Sequence, residues 1–448
     1  MPELYTYIAL DIEKQIAAGA YPRGRRLPSI REVADRYGCS KATAIKAYDT
    51  LKNRHVIYSV PQSGYYVVEH TLISEDIDHS MIDFSTGNPL IGAVHIPDLK
   101  HCLDRAVDIS RNYSLRRDLR GTSPLRELLP GYLSDSQVFT DPGHIFIMQG
   151  IQQTLSLLTA MPFPSRKDTI LIEQPTYRYF MEFLKQSAVP VAGISRGENG
   201  IDLNRLEHIF KTERIKFFYT VPRHHNPTGG IYPAEQRKRI AELAAKYDVY
   251  IVEDDYFGDV APDARYDPIY AYGDHHHHVF LRSFSKIIPW FRIGITVLPT
   301  PLLKGFETWM WHSYYRSYFS ASLVSQATLD VYIRSKLLHK HVRAIEKELA
   351  GRLRAVAEHR SALQECAVHF TPHPGCFYLY LALPARVPET RLINALRSHG
   401  VLVTPGYYYY SSRTFYEPGI RISLARTAPE DIHRGLEIIR REVRKFLG

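Results

Sequence analysis

The chain has few cysteines, and their spacing excludes the usual cysteine-rich sites. The four are Cys39, Cys102, Cys366 and Cys376, and no two of them form a C-x-x-C pair. This spacing suggests neither a zinc site nor a disulfide framework, and it fits a reducing cytoplasm. The chain also lacks an apolar run of transmembrane length, and Met1 is not followed by a basic and then apolar leader. We therefore expect a cytoplasmic protein without a membrane span.

The bulk composition is that of an ordinary folded protein. A hydrophobic fraction of 45% and a charged fraction of 23% are typical, and 448 residues leave room for two or three domains. The formal net charge of +9 permits an anionic partner but does not identify one.

The N-terminal residues predict three helices. Apolar side chains at helical spacing predict the first helix over about 4–18. Ser29-Ile30-Arg31-Glu32 is a capping box, which predicts the start of a short second helix that ends near Gly38. Ser40 is placed to cap a third helix over 41–53. Two helices joined by a tight turn that contains glycine are typical of a helix-turn-helix.

Two strand-like runs, 56–60 and 64–68, follow the third helix and complete the plan of a winged helix. The N-terminal end of a recognition helix meets base edges and phosphates in DNA. Up to Val68 there are ten Lys and Arg against six Asp and Glu, so this part carries 10 − 6 = +4 charges. The periodicity alone fits a small helical domain with solvated charges equally well.

Residues 69–82 predict a short linker. The stretch has several acids, few large apolar residues and no clear period. A dozen residues reach at most ~40 Å when fully extended. The N-terminal domain is therefore expected to stay close to the remainder of the chain.

Apolar runs alternate with helical patterns in the rest of the chain. This alternation predicts a mainly parallel sheet with helices on both faces, whose ligands bind at the carboxyl ends of the strands. The predicted strands are 145–148, 169–173, 216–221, 249–253, 279–283 and 294–298.

The sequence Ser283-Phe284-Ser285-Lys286, followed by Arg292, lies at the end of one of these strands. A lysine that is partly buried near other cations has a lowered pKa and can form a Schiff base with an aldehyde. The two serines and the arginine can bind a phosphate. Taken alone, such a lysine is more often simply solvated.

Four further motifs follow strands, and together they offer a helix start for a phosphate, a ring for stacking, an amide for a phenolic oxygen and a carboxylate for a pyridine nitrogen. Each also has an ordinary explanation as a turn, a packing tyrosine, a proline turn or a solvated acid. The motifs are Gly150-Ile151-Gln152-Gln153, Glu173-Gln174-Pro175-Thr176-Tyr177, Asn226-Pro227-Thr228-Gly229 and Asp254-Asp255-Tyr256.

In this order, and with Gly419-Ile420-Arg421-Ile422-Ser423 after them, the motifs resemble the fold type I aminotransferases of class I/II. The likeness runs from about residue 82 to the end and includes DFSTGNP at 83–89 and PGCFYLYL at 374–381. The N-terminal residues resemble a GntR-family DNA-binding domain through LPSIR, SKAT and the wing glycine. The whole chain thus resembles the MocR (GabR-like) family of pyridoxal-phosphate-dependent transcriptional regulators.

The resemblance implies an α/β chain of two domains. A GntR-type winged helix-turn-helix over 1–68 and a linker over 69–82 precede an aminotransferase-like domain over 83–448. That domain has a mainly parallel central sheet with helices on both faces. Its large part extends to about residue 330, and its smaller α+β part covers about 331–448.

The resemblance also implies residue roles. Lys286 forms the Schiff base with pyridoxal 5′-phosphate, and Arg421 binds the carboxylate of an effector. Tyr113 corresponds to a tyrosine that reaches a phosphate across a dimer, although its spacing to Gly121 is unusually long. The other implied cofactor contacts are Asp254, Asn226, Tyr256, Tyr177, Gly150, Ile151, Gln152, Ser283, Ser285 and Arg292. The implied DNA contacts are Arg31, Lys41, Thr43, Lys46 and Gly64.

The sequence departs from the family pattern in three places. Gln149 stands where a serine or threonine usually precedes the glycine. The spacing from Lys286 to Arg292 is one residue shorter than expected, and Tyr179 replaces an arginine that some members carry. These departures bear on the phosphate contacts and on a second anchor for an acidic effector.

Three functions fit the sequence. The first is a pyridoxal-phosphate-dependent transcriptional regulator that binds double-stranded DNA and senses an amine, an amino acid or a B6 vitamer. For this regulator only slow transamination half-reactions are expected. The second is a working aminotransferase with an accessory DNA-binding domain. The third is a DNA-binding protein whose large domain only dimerises. The resemblance implies a homodimer, and whether the short linker allows domain swapping stays open.

Two residue runs are left over. His275 to His278 favour a solvated loop rather than a metal site, because neighbouring side chains on a short connection rarely converge on one ion. Tyr407 to Tyr410 could line the effector cleft or cover the small domain, and the sequence does not choose between these.

Overall fold

The computed structural model describes residues 3–21, 24–68, 81–87, 96–110, 119–260, 266–288, 290–313 and 320–448. Contacts between residues divide the chain into two compact units, Met1–His79 and Ser80–Gly448. The domain limits derived from the sequence stay a prediction.

The first unit is a winged helix-turn-helix, as predicted. Its elements are α1 (Leu4–Ala17), α2 (Ile30–Tyr37), α3 (Lys41–Asn53), β1 (Ile57–Val60) and β2 (Gly64–Val67). The two strands pair antiparallel. The capping box is present, since the Glu32 amide donates to Ser29 Oγ at 3.3 Å and the Ser29 amide donates to Glu32 Oε2 at 2.6 Å. This reciprocal pairing satisfies helix-start donors and fixes where α2 begins.

The core of this unit joins all three helices to the wing. Ile8 and Ile12 of α1 are buried against Tyr48 and Leu51 of α3 and Ile57 of β1. Leu4 is the first of the apolar residues at helical spacing that predicted α1. It does not reach this core, because it is 50% exposed at the free end of the helix.

The second unit contains helices of varied length. They are α4 (Ile96–Ser110), α5 (Ser123–Ser134), α6 (Ile151–Ala160), α7 (Arg178–Gln186), α8 (Leu203–Thr212), α9 (Ala234–Tyr247), α10 (Ile269–Tyr272), α11 (Thr300–Ser313), α12 (Leu323–Arg334), α13 (Leu337–Glu358), α14 (Arg360–Gln364), α15 (Glu389–Ser398) and α16 (Pro429–Leu447). In the part of the chain that the structure describes, none of the helices is both long and apolar enough to cross a membrane.

The strands of the second unit form one large and two small sheets. They are β3 (Ile82–Asp83), β4 (Ile145–Met148), β5 (Thr169–Gln174), β6 (Val191–Gly197), β7 (Gly200–Ile201), β8 (Ile215–Thr220), β9 (Tyr250–Asp255), β10 (His278–Ser283), β11 (Gly294–Val297), β12 (Tyr378–Ala382), β13 (Val401–Leu402), β14 (Thr404–Pro405) and β15 (Gly419–Ser423). The large sheet has the order β4-β11-β10-β9-β8-β5-β6-β7. In this sheet β11 and β7 run in the opposite direction to the other six strands.

Helices cover both faces of the large sheet, which confirms the predicted architecture. Alternate residues of one strand belong to different cores: Phe217 and Tyr219 of β8 pack into one hydrophobic cluster, and Phe218 packs into another. Because successive side chains of a strand point to opposite faces, two separate cores require cover on both sides. This explains why the predicted strands read as continuous apolar runs.

The C-terminal part carries the small sheets. One has the order β12-β15-β14, and Arg421 lies on its middle strand. In the other, β13 pairs parallel with β3, so that Ile82–Asp83 lie against the C-terminal part of the chain. The segment that continues to Gly87 is thereby held beside the residues around Arg421.

Candidate functional site

Lys286 follows the carboxyl end of β10, beside the end of β9, where the register pairs Leu281 with Asp254. Burial and the charge of Arg421, opposed by the charge of Asp254, together lower the pKa of the Lys286 amine to about 8. Its Nζ donates to the carbonyl oxygen of Gly87 at 2.6 Å. The amine is therefore partly neutral near physiological pH, as a nucleophilic lysine needs to be.

Asp254 is a buried carboxylate at the base of the site, and only 3% of its surface is exposed. The Tyr219 hydroxyl donates to its Oδ2 at 2.7 Å, whereas its Oδ1 has no hydrogen-bond partner among the described residues. Burial, opposed by the hydrogen bond from Tyr219 and assisted by the charge of Asp255, raises the pKa of Asp254 to about 7. A protonated ring nitrogen is a group that would satisfy Oδ1 and favour the charged form.

Asn226 and Tyr256 lie in the same region but differ in their bonding. The Oδ1 of Asn226 is buried and has no partner within the described ranges. The Tyr256 hydroxyl donates to the carbonyl oxygen of His224 at 2.6 Å. The amide is thus available to a ligand, while the phenol is already engaged by the backbone.

The start of α6 forms the opposite end of the site. Gly150 is its N-cap residue, and a Cβ on Gly294 would lie 2.7 Å from the Ile151 amide nitrogen, so the strand and the helix approach each other closely. Arg292 Nη2 donates to Gln152 Oε1 at 2.8 Å. Gln152 Nε2 in turn donates to the Tyr177 hydroxyl at 2.7 Å. Helix-start amides with a guanidinium beside them suit a phosphate.

The structure brings almost all predicted cofactor residues to one cavity of 220 Å³. Tyr113 lies outside the described residues. The predicted residues that line the cavity are Gly150, Ile151, Gln152, Tyr177, Asn226, Asp254, Tyr256, Ser283, Ser285, Lys286 and Arg292. Tyr219, Val221 and Tyr378 also line it and were not predicted. Tyr219 could have been predicted, because it lies near the carboxyl end of β8, the strand that pairs with the strand of Asp254.

Arg421 lines a second, larger cavity of 940 Å³ that shares Lys286, Asn226 and Tyr177 with the first. Its Nη2 donates to the carbonyl oxygen of Ser85, and also to Thr404 Oγ1 at 2.5 Å. Its Nε is buried without a partner in the described structure. A guanidinium with a free donor suits a carboxylate.

A buried ion cluster that the sequence analysis missed supports the floor of the site. Asp255 accepts from Arg223 Nε at 2.6 Å and from Arg282 Nη2 at 2.7 Å. Burial alone would raise the pKa of Asp255, but the two guanidinium groups lower it well below its usual value. Because Arg282 precedes Ser283, the cluster fixes the end of β10 from which Lys286 follows.

The residues predicted to contact DNA lie on the first unit. Lys41, Thr43 and Lys46 occupy the N-terminal half of α3, and both lysines are exposed. Lys46 Nζ lies 3.3 Å from Glu3 Oε2. Arg31 is exposed at the start of α2. Gly64 begins β2 with φ +125°, a conformation that side chains rarely adopt, and this keeps the turn of the wing tight.

The structure also describes the departures and the two residue runs. The Gln149 side chain donates to the Ser320 carbonyl at 3.2 Å. The tyrosine run divides, since Tyr408 and Tyr409 line the larger cavity while Tyr410 packs with Tyr380 and Tyr416. The histidine run divides as well: His275 and His276 are exposed, and His278 is buried in β10.

Comparisons with known proteins agree with the two units. Residues 4–67 match the bacterial regulatory proteins of the gntR family, and residues 79–439 match the aminotransferases of class I and II. The chain is 38% identical to the uncharacterized HTH-type transcriptional regulator YcxD of Bacillus subtilis, over 98% of this chain and 99% of that protein. It is 26% identical to the uncharacterized HTH-type transcriptional regulator YjiR of Escherichia coli, over 97% of each.

Solved structures match the second unit. The multiple substrate aminotransferase of Thermococcus profundus is 23% identical, with a TM-score of 0.73 over 82% of this chain and 92% of that chain. The kynurenine aminotransferase of Pyrococcus horikoshii is 25% identical, with a TM-score of 0.72 over the same shares of the two chains. The first likeness shows the fold alone.

Proposed function

The chain belongs to the HTH-type transcriptional regulators that join a GntR-family DNA-binding domain to a class I and II aminotransferase domain, and we propose that it senses a small molecule through pyridoxal phosphate. One observation carries this proposal. An amine of lowered pKa, Lys286, and a buried carboxylate with a free oxygen, Asp254, line one cavity. A structural remnant that only dimerises would have no need of this pair.

The residues present fit pyridoxal phosphate. Buried polar atoms that lack partners among the described residues are costly unless a ligand satisfies them, and Asp254 Oδ1 is such an atom, which a protonated ring nitrogen would satisfy. The proposed attachment point is Lys286. When bound, the cofactor supplies an electron sink for chemistry at the carbon that bears an amine.

Each remaining side chain has a proposed task. Asp254 holds the ring nitrogen protonated, Asn226 bonds the phenolic oxygen, and Tyr177 stacks on the ring. For Tyr256 to donate to the same oxygen, its hydroxyl must first leave the His224 carbonyl. The residues proposed to bind the phosphate are Gly150, Ile151, Gln152, Ser283, Ser285 and Arg292, and Tyr113 stays a prediction.

The proposed effector is an amine, an amino acid or a B6 vitamer, with Arg421 as the anchor for a carboxylate. The segment that leaves β3 supports a regulatory role. The carbonyl of Ser85 accepts from Arg421, and the carbonyl of Gly87 accepts from Lys286. A carboxylate that binds Arg421 through Nε and Nη2 competes with the Ser85 carbonyl, and attachment at Lys286 competes with the Gly87 carbonyl. This segment directly follows, in sequence, the stretch that joins the two units. Binding can therefore bias the DNA-binding unit through differential affinity.

A working aminotransferase is the second candidate function. It is favoured by the pKa of Lys286 near 8, which suits a group that takes up and returns a proton. Rapid multiple turnovers with a common amino donor would identify this activity. A regulator is expected to show slow half-reactions at most.

Under either function we propose a homodimer, which light scattering of the purified protein tests.

DNA binding tests the regulatory proposal. The protein is expected to bind DNA from its own promoter region in a salt-sensitive way, and Lys41→Ala should weaken this binding for all sequences. The slope of log affinity against log salt should fall by about 1, because one phosphate contact is lost. Fluorescence anisotropy at several salt concentrations measures both quantities.

Lys52→Ala is the matched control, since Lys52 is exposed in the last turn of the same helix. It should leave the salt slope unchanged. If the unmodified protein showed no salt-sensitive binding, with or without amino acids and cofactor, the regulatory proposal would fail.

Gly294→Ala tests the close approach of β11 and α6. The new Cβ would lie 2.7 Å from the Ile151 nitrogen and 2.8 Å from the Gly150 carbonyl carbon. Such overpacking typically lowers the free energy of unfolding by about 1–3 kcal/mol. Because it displaces the helix start, it should also weaken pyridoxal phosphate binding. Urea unfolding and equilibrium dialysis measure the two effects.

Gly197→Ala is the control for this substitution. A Cβ on Gly197 meets no atom within 4 Å. Normal cofactor affinity in the Gly294→Ala protein would argue against a phosphate site at the start of α6.

A further inference from the structure

The larger cavity has far more room than the carboxylate and amine of an amino acid need. It encloses 940 Å³ and extends beyond the residues that it shares with the cofactor cavity. The side chains that line this extension therefore contact whatever else the effector carries. Their chemistry indicates which kind of side chain the effector has.

Several aromatic side chains line the extension beside polar ones. They include Phe180 and Phe183 of α7, and Tyr408 and Tyr409 of the segment that follows β14. Among the described residues that line the cavity there is no carboxylate. Aromatic walls of this kind bind planar apolar groups by burial and by stacking.

Arg178 also lines this extension. Its charge is paired and its guanidinium is stacked on a ring, so it presents a flat surface rather than an unpaired charge. Its Nε donates to Glu182 Oε1 at 2.7 Å, so that a neighbouring carboxylate already balances its charge. Its guanidinium carbon lies 3.7 Å from the centroid of the Tyr408 ring. A guanidinium stacked on a phenol presents a flat surface, which suits a ring better than a second carboxylate.

The neighbouring position agrees with this assignment. Tyr179 also lines the cavity, so the residue next to Arg178 adds another aromatic ring rather than a charge. The carboxylate anchor of the cavity is instead Arg421, whose Nε has no partner in the described part of the chain.

We propose that the effector is an amino acid with an aromatic side chain, whose carboxylate binds Arg421 and whose ring lies against Tyr408 and Arg178. This inference rests on the proposed function, because it assigns the side-chain class of the ligand at the same site. It separates aromatic amino acids from acidic ones and from small ones.

Absorbance titrations of the cofactor-loaded full-length protein test the inference. The probes are L-phenylalanine, L-alanine and L-glutamate. Burial of a phenylalanine-sized group corresponds to about 10- to 100-fold in affinity, so L-phenylalanine should bind at least about 10-fold more tightly than the other two. Isothermal titration calorimetry provides a readout that does not depend on the absorbance of the cofactor.

Substitutions in the tyrosine run locate the effect. Tyr408→Ala should weaken L-phenylalanine about 5- to 10-fold and leave L-alanine within about twofold, because the stacking surface is lost. Tyr407→Ala is the neighbouring control: Tyr407 is 45% exposed and lies outside the lining, although its ring packs edge-on against that of Tyr408 with centroids 4.7 Å apart. It should leave both affinities within about twofold. Tyr408→Phe keeps a ring and should keep the preference.

Two results would overturn the inference while leaving the proposed function intact. One is a cofactor-loaded protein that binds L-glutamate or L-alanine as tightly as L-phenylalanine. The other is a Tyr408→Ala protein that loses affinity equally for L-phenylalanine and L-alanine. A protein that takes up no cofactor before any amino acid is added contradicts the proposed function itself, and the inference with it.

Discussion

Lys286→Ala is expected to abolish covalent attachment of pyridoxal phosphate and, with it, every response of DNA binding to an effector. The substitution removes the amine, whereas Asp254, Asn226 and Arg292, which line the same cavity and are proposed to contact the cofactor, are retained. The affinity for promoter DNA without an effector should stay within about twofold, since no residue of the first unit is changed. Borohydride reduction followed by peptide mass spectrometry detects the attached cofactor, and fluorescence anisotropy follows the DNA.

Lys216 provides a stringent control for this experiment. Burial lowers the pKa of Lys216 to about 8, as it does for Lys286. Lys216 Nζ, however, donates to the carbonyls of Thr159 and Met161 at 2.9 and 2.6 Å, away from both cavities. Lys216→Met should lower stability and keep the cofactor attached at residue 286. Attachment at any lysine of the Lys286→Ala protein would contradict the assignment.

Asp254→Asn is expected to stabilise the cofactor-free protein while weakening its affinity for pyridoxal phosphate on the order of 100-fold. Burial raises the pKa of Asp254 to about 7, so at neutral pH and above the folded state must hold an unfavourable charge. Asparagine removes that charge and keeps an oxygen that can accept from Tyr219. Affinity for the cofactor falls because its protonated ring nitrogen would lose its carboxylate partner, and an unpaired buried cation costs about 2–5 kcal/mol or more.

The pH dependence of this effect has a definite sign. A carboxyl whose pKa is raised on folding contributes stability that is present below its ordinary pKa and lost as the pH rises through the folded value. Cofactor-free protein should therefore lose stability between about pH 4 and pH 7, by at most about 1.4 kcal/mol per pH unit from this group. The gain from Asp254→Asn should be small near pH 4 and constant above pH 7. Urea unfolding across this range measures it.

The adjacent carboxylate is predicted to respond in the opposite direction. Asp255 is equally buried, but Arg223 and Arg282 keep its pKa low. Asp255→Asn leaves two buried guanidinium groups without their shared partner, and such changes typically cost about 3–5 kcal/mol. Equal effects of the two substitutions would show that the burial and charge assigned to these neighbours are wrong.

The fold was predictable where local chemistry decides it. The capping box at Ser29 predicted the start of α2, and continuous apolar runs predicted the strands at the centre of the large sheet. The short strands β3 and β13 were not predicted, because two residues carry no period and only their mutual pairing defines them. For β6, only alternate residues near its end are buried. A strand near the edge of the sheet, with few buried residues, gives a weak sequence signal.

The site was predictable as a set of residues but not as a set of contacts. The order of the motifs identified nearly every residue that lines the smaller cavity. Sequence could not show that Tyr256 is engaged by the backbone or that Tyr219 supports Asp254, since both depend on neighbouring strands. Which of the four consecutive tyrosines line the cavity depends on the short helical turn at Gly406–Tyr409, whose geometry no pattern encodes.

The position of Ser85 and Gly87 has a consequence for any affinity that is measured. The Ser85 carbonyl oxygen already accepts from Arg421 Nη2, so a carboxylate that binds Arg421 through two donors competes with a main-chain acceptor as well as with water. The Ser85 carbonyl thus acts as an intramolecular competitor. The observed dissociation constant is larger than the intrinsic one, because only molecules in which this carbonyl has left Arg421 can bind the carboxylate fully.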